Sequence, residues 1–262
     1  MTGGAMTGGK MNLALLQVRQ LCKRFGGLAA NTDIDLDIRP GEVHAVIGPN
    51  GAGKTTLVGQ ISGEVQPTSG QILFAGEDIT ALPSYRRSTL GLARTFQITS
   101  ILKEFSALEN VAIAAQAHAG HSYRFWKRAA DEEALNARAR EALVRVGLGD
   151  RMEVPSMELS HGEHRQLEIA MSFVTRPKLM LLDEPAAGMG PEESQRMVGL
   201  LRELKSDHAI LLIEHDMDVV FAIADRITVL VNGRVIASGD PAAIEADASV
   251  REAYLGDDVG AH

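Results

Sequence analysis

Gly48-Pro49-Asn50-Gly51-Ala52-Gly53-Lys54-Thr55 is the stretch that decides the fold. Its spacing fits a phosphate-binding loop without a mismatch. Glycines at these places let the backbone curl tightly, with N–H groups pointing inward at a phosphate. A helix starting at Gly53 or Lys54 adds the partial positive charge of its N-terminus. Lys54 is then placed to bridge the β- and γ-phosphates of a nucleoside triphosphate, and the Thr55 hydroxyl to ligate Mg²⁺. Thr56 follows in the same first helical turn. Directly upstream, Val43 to Ile47 is nearly all apolar and reads as a buried parallel strand feeding that helix. A chance Gly-rich turn is the alternative, and the strand-loop-helix context argues against it.

A second strand supplies the chemistry that a phosphate loop lacks. Leu179-Met180-Leu181-Leu182-Asp183 is an apolar run ending in a carboxylate, where a parallel sheet presents ligands to the phosphate edge. Asp183 is the candidate Mg²⁺ ligand. Glu184, one residue on, is the candidate general base for the attacking water, a role that typically contributes ~10²–10⁴-fold. A merely solvated acidic strand end is the competing reading, disfavoured directly before Pro185.

Further from the loop, Ile34, Leu36 and Ile38 alternate with Asp33, Asp35 and Asp37, a half-buried antiparallel strand with one wet face. Pro67 to Gly70 is a turn before a strand at Gln71 to Phe74. From about Ser106 to Thr175 the pattern is helical. Leu108, Val111, Ala112 and Ala115 have helix spacing, as do Leu135, Leu143, Val144 and Val146, with Gly147 as a stop. Strand-helix alternation then returns: a helix at Pro191 to Leu204, strands at Ala209 to Ile213 and Ile227 to Val231, and a hairpin turn at Asn232-Gly233. Short helices at Pro241 to Glu245 and Val250 to Tyr254 close the chain. The expectation is one α/β core interrupted by an all-helical insertion.

Bulk properties narrow the function. The 262 residues are 45% hydrophobic, enough for a sizeable core, and carry a net charge of -8, which disfavours nucleic acid or an anionic bilayer as partner. No run approaches the ~20 apolar residues of a membrane span, so a membrane role is expected to come through a partner protein. The single cysteine, Cys22, gives no disulfide framework and reads as a small buried hydrophobe. The start, Met1 to Lys10, repeats Met-Thr-Gly-Gly and has no apolar core; it reads as an unstructured leader or a misassigned start, not a signal peptide.

Taken with Leu159-Ser160-His161-Gly162-Glu163 ahead of the Asp183 strand, these motifs make the chain resemble the ATPase subunit of ATP-binding cassette transporters from about Leu15 to Leu255. The resemblance implies a P-loop NTPase α/β fold: a RecA-like core with an antiparallel β-subdomain and an inserted α-helical subdomain. It implies a leader at 1–12, the core at 13–97 and 176–240, the helical insertion at 98–175, C-terminal helices at 241–257 and a tail at 258–262. ATP and Mg²⁺ are the implied cofactors. Gln97, in Arg94-Thr95-Phe96-Gln97, matches the glutamine loop that touches Mg²⁺ or the water and senses a membrane partner. Ser160 and Gly162 match the signature that contacts the γ-phosphate held by a second subunit, and His215 the switch histidine. Phe25 matches the aromatic that stacks on adenine.

Plainer readings stand beside these. Gln97 could be a surface amide, His215 structural, and Phe25 a core or edge aromatic. Ser160 is also an N-cap whose capping box Glu163 would complete. His161 and His164 lack the partners of a metal site.

A narrower resemblance rests on Leu92 to Gln97, His161-Gly162-Glu163, Glu184 to Gly188, Leu212 to Met217 and Glu252 to Gly256. These are similar to the ATPases of branched-chain (hydrophobic) amino acid importers and their urea and amide relatives. The resemblance implies two integral-membrane permeases, a second ATPase subunit (the same chain or a related one) and a periplasmic or surface solute-binding protein reached through the permeases. It places the chain peripherally on the cytoplasmic face of the cell (inner) membrane. An exporter of lipopolysaccharide type shares every catalytic residue. A soluble cassette acting on ribosomes or DNA is disfavoured by the single cassette and the negative charge, and an inert pseudo-subunit by the presence of Lys54, Asp183, Glu184 and His215.

Two departures from the family pattern stand out. His161 and Glu163 replace the common Gly and Gln of the signature. Gly190 stands where Asp or Asn is usual in the loop that links the two sites of a dimer, so coupling there is expected to be weaker or carried by backbone. Tyr123 to Arg128 is aromatic and basic, either a contact surface or a covered helix start.

Overall fold

The polypeptide opens as an antiparallel ribbon of Leu16–Phe25 (β1) and Leu28–Ile38 (β2), closed by a two-residue turn in which Phe25 pairs Leu28. Ile34, Leu36 and Ile38 are buried, as their alternation with aspartates requires. Val43–Ile47 (β3) runs into the phosphate loop and Lys54–Ser62 (α1). Ser69–Phe74 (β4) and the two-residue Glu77–Asp78 (β5) add to the ribbon, giving an antiparallel sheet of order β2-β1-β4-β5. Ser84–Thr89 (α2) then leads to Leu92–Arg94 (β6). Arg87 of α2 is fully buried and donates to the carbonyls of Gln60, Ile61, Thr80 and Leu82. It thereby satisfies two of the carbonyls that the end of α1 leaves without helical partners.

Three helices follow: Ala107–His118 (α3), Ala129–Arg145 (α4) and His161–Phe173 (α5). Leu108, Val111, Ala115, Leu143 and Val146 are buried, in keeping with their spacing. Val144 is 61% exposed, against the expectation that it shares that face. At 3.6 residues per turn, one step from Leu143 swings it outward. The chain then returns to strand-helix alternation through Leu179–Asp183 (β7), Pro191–Leu204 (α6), Ala209–Ile213 (β8), Met217–Ile223 (α7) and Arg226–Val231 (β9). Arg234–Gly239 (β10), Pro241–Ala246 (α8) and Ala248–Leu255 (α9) end it. These elements come from a computed structural model that describes residues 14–95, 101–118 and 129–255. The leader, Phe96, Gln97, the Tyr123 to Arg128 stretch and the tail lie outside the described residues.

The second sheet has order β10-β9-β3-β8-β7-β6, parallel except for the β9–β10 hairpin. Period-two alternation divides its side chains between two cores. Ile210 and Leu212 of β8 face one cluster, which continues through α3, α4, α5 and α6. Ala209, Leu211 and Ile213 face the other, shared with α1 and the antiparallel sheet. Each fully buried Val, Leu or Ile contributes about 1.5–3 kcal/mol, so both flanks are held to the same strands.

Cys22 departs from its expected character. It is only half-buried, with Sγ 3.4 Å from Asp33 Oδ1, and it accepts the Asp33 N–H at 3.3 Å. The register of β1 against β2 shifts on either side of it, which sets the thiol against polar groups.

Candidate functional site

The carboxyl ends of three neighbouring strands, β3, β8 and β7, build the site. This is where open parallel sheets hold ligands. Beyond β3 the loop doubles back through positive-φ glycines. Gly48 has φ 150 and Gly53 φ 100. A Cβ at Gly48 would lie 2.0 Å from the Leu230 carbonyl oxygen, and one at Gly53 would lie 2.4 Å from that of Ala30. Only glycine fits at either place.

The antiparallel ribbon and the β9–β10 hairpin brace this loop. Asn31 donates to the Gly53 carbonyl at 3.2 Å, Gly233 N–H to Ala52 O at 3.0 Å, and Thr32 N–H to Gly233 O at 2.8 Å. The Asn232-Gly233 turn, with both residues at positive φ, thus joins loop and ribbon. Pro49, Asn50 and Gly51 form the loop's outer arc; Asn50 and Gly51 are exposed and Ala52 is buried beneath.

Lys54 is 8% exposed and donates to the Gly48 and Pro49 carbonyls at 2.6 and 3.0 Å. Burial pushes its ammonium below the ordinary lysine value, while the charges of Glu184 and Asp183 pull it back up. Lys54 and both acids therefore share one electrostatic site. Thr55 is exposed beside it and Thr56 half-buried.

At the end of β7, Asp183 receives Arg94 at 3.1 Å, and the same guanidinium pairs with Glu64. Burial raises the Asp183 carboxyl above its ordinary value, and Arg94 opposes the rise. Thr55 and Asp183 offer a hydroxyl and a carboxylate, hard oxygens that suit Mg²⁺, an ion that keeps waters and substrate phosphates as its other ligands. Gln97, the remaining expected ligand, lies outside the described residues.

Glu184 sits in the left-handed region at φ 50. Such a conformation costs a non-glycine residue about 1–3 kcal/mol and clusters at functional sites. Its N–H donates to Ile213 O at 2.8 Å, and its carboxylate lies 3.8 Å from His215 Nδ1. Both side chains are open to solvent, 45% and 62% exposed.

The other expected residues are carried by other elements. Ser160 caps α5: its hydroxyl accepts the Glu163 N–H at 3.2 Å, and Glu163 accepts the Ser160 N–H at 2.8 Å, the expected capping box. Ser160 and Gly162 line a cleft of roughly 430 Å³ with Glu163, Glu193 and Arg196. Gly190 begins α6 with no capping side chain; its N–H donates to Glu193 at 3.3 Å. Phe25 is 51% exposed at the ribbon's turn, with the Lys23 ammonium 4.9 Å from its ring centre. It is an exposed edge aromatic on the same ribbon that touches the loop.

Two residues were missed from sequence. Arg94, 6% exposed, belongs to the motif read for Gln97; an arginine on a short strand beside Leu92 had to find a carboxylate. Glu214, between an apolar strand and His215, is 0% exposed. A glutamate directly after a run of five apolar residues was the available signal.

Residues 31–187 match the family model described as ABC transporter, and residues 234–260 match that of the branched-chain amino acid ATP-binding cassette transporter. The high-affinity branched-chain amino acid transport ATP-binding protein LivG of Escherichia coli (strain K12) is 40% identical over 255 residues, covering 94% of this chain and 100% of that protein. The corresponding protein BraF of Pseudomonas aeruginosa is 38% identical over the same shares. The ADP conformation of MJ1267, an ATP-binding cassette of an ABC transporter, superposes with TM-score 0.82 at 30% identity, over 93% of this chain and 99% of that one.

Proposed function

The chain belongs to the ABC transporter family, and from that premise we propose that it is the ATP-hydrolysing subunit of an importer for branched-chain amino acids or a related small solute. The observation that carries the reading is the convergence of Lys54, Asp183, Glu184 and His215 at adjacent strand ends, with Glu184 and His215 3.8 Å apart.

The loop N–H groups and Lys54 bind the β- and γ-phosphates, and electrostatic stabilisation by such preorganised donors is the main source of rate in phosphoryl transfer. Phe25 stacks on the adenine. Thr55 and Asp183, with Gln97, would hold Mg²⁺, which would neutralise charge on the phosphates. Glu184 orients the attacking water and takes its proton; His215 contacts the γ-phosphate. Ser160 and Gly162, at the start of α5 and away from the strand ends that carry Lys54, Asp183, Glu184 and His215, serve the ATP held by a second cassette. The helix N-terminus that Ser160 caps supplies an anion site there. Because each site is complete only in the dimer, binding and hydrolysis become closing and opening of two subunits. Gly190 offers only backbone to the link between sites, and its N–H is already engaged by Glu193.

The division into a core at 13–97 and 176–240 and a helical insertion at 98–175 gives the mechanical layout. The groove between them receives a helix of the permease. The chain then sits peripherally on the cytoplasmic face of the inner membrane, with two permeases, a second ATPase and, through the permeases, a solute-binding protein.

A gentle detergent pull-down of the tagged chain from its own host's membranes, read by mass spectrometry, tests this. Two multi-span permeases and an ATPase partner, a second copy of this chain or a related one, are expected. Ribosomal or DNA-bound partners with no integral membrane protein would overturn the transport reading.

A further inference from the structure

β7 and β8 run as a parallel pair whose last rung is Glu184 N–H to Ile213 O at 2.8 Å. Past that rung the strands part into two turns, one carrying Glu184 and the other His215. The side chain of Glu214 fills the fork. One carboxylate oxygen accepts the Ala186 N–H at 2.9 Å, from the first turn. The other accepts the N–H of His215 at 3.1 Å, from the second.

Glu214 is wholly buried, and among the described residues the only basic side chain within 4.0 Å of its carboxylate is the His215 imidazole, at 3.9 Å. A buried carboxylate is tolerated only where hydrogen bonds replace its water, and here two backbone N–H groups do so, one on each oxygen. Burial still raises its carboxyl above the ordinary value, with the N–H groups of Ala186, His215 and Asp216 opposing. A neutral side chain could cap one turn at lower cost. Two acceptor oxygens on one stem are what the fork requires, because every donor facing it is an N–H.

We propose that Glu214 is a positioning residue for ATP hydrolysis: its carboxylate locks the turn that carries Glu184 to the turn that carries His215 and so sets the gap between them. The inference rests on the proposed roles of those two residues. Asp216 extends the clamp, since its own carboxylate accepts the N–H groups of Asp218 and Val219 and so starts α7. A shift of either catalytic turn is thereby transmitted to the other and to α7.

The test is steady-state ATP turnover by the full chain with Mg²⁺, at protein concentrations that allow two copies to associate. It is run for wild type, Glu214→Gln and Glu214→Asp, beside affinity for a fluorescent ATP analogue and a circular-dichroism melt. Gln keeps the shape but turns an NH₂ group toward an N–H donor. Asp keeps both oxygens but falls a methylene short of Ala186. Both are expected to lower kcat by about 10–100-fold, the effect of misplacing a catalytic group by around an ångström. KM and analogue affinity should stay within about two-fold, because the phosphate loop is untouched. If wild type turns over ATP and either variant keeps its kcat, the clamp is refuted while the site reading stands. If kcat and affinity fall together with the melting temperature, Glu214 is only structural and the proposal is overturned. A wild-type chain without turnover would overturn the site reading itself.

Discussion

Replacing Arg94 with Met removes the one guanidinium that Asp183 and Glu64 share. Arg94 is 6% exposed and the Asp183 side chain 14%, so the Asp183 contact is close to a buried pair; Glu64, at 40%, is screened by water and counts for little. Breaking a buried pair by removing one partner costs about 3–5 kcal/mol. Partial exposure of the acids and the apolar packing that Met retains reduce this to roughly 2–4 kcal/mol. For a chain of this size that is a fall in Tm of about 4–16 °C.

The pH dependence gives the sharper signature. The Asp183 carboxyl already titrates above its ordinary value, because burial outweighs Arg94. A raised folded value means that the folded state prefers the proton, so the penalty of the charged form is fully present at neutral pH and is relieved as pH falls. Without Arg94 the value rises further. The Tm deficit of Arg94→Met relative to wild type should therefore be larger at pH 7.5 than at pH 5, measured by differential scanning calorimetry. An equal deficit at both, or a loss under about 1 kcal/mol, would refute the argument that Arg94 compensates a buried Asp183.

Gly53→Ala forces a Cβ to 2.4 Å from the Ala30 carbonyl oxygen at φ 100, so nucleotide binding by fluorescence titration should weaken at least ten-fold and stability fall by about 2–4 kcal/mol. Gly190→Asn meets no atom within 4 Å at an ordinary φ of -74, so it should raise Tm slightly, by a few tenths of a kcal/mol of added capping. The same variant should alter the rate or cooperativity of ATP turnover; unchanged kinetics would remove the support for backbone coupling at Gly190. Glu42 is buried, which raises its carboxyl, but His44, the Arg39 N–H and Arg226 outweigh this and hold it below 4.5. That lowered folded value contributes stability present above 4.5 and lost as pH falls through it, so Glu42→Gln should flatten the acid side of the Tm–pH curve.

Local signals were legible where one element carries its own reason. Val43 to Ile47 is apolar at every position but one and is the buried central strand; Pro191 stands at the first turn of α6; Asn232-Gly233 takes the positive φ values its hairpin needs. The residues that escaped notice depend on partners far along the chain. β1 is bulged, with Gln20 at φ 43 and register shifts against β2, so its alternation is broken in sequence. Arg94 meets Asp183 across 89 residues and Glu214 meets Ala186 across 28. Three-residue β6 exists because Thr95 and its neighbours extend the ladder to Leu181, not because of any pattern of its own. Within the site, Lys54, Asp183 and Glu184 followed from spacing and strand ends, whereas the groups that hold them in place became visible only once the strands were side by side.

Sedimentation velocity of Glu184→Gln with saturating ATP and Mg²⁺, against ADP and Mg²⁺, tests the central claim most directly. Removing the candidate base should leave ATP bound and unhydrolysed between the phosphate loop of one copy and Ser160 and Gly162 of the other. A stable dimer with ATP and a monomer with ADP are predicted. A monomer at saturating ATP and Mg²⁺ would contradict a site that is completed by a second copy of this chain.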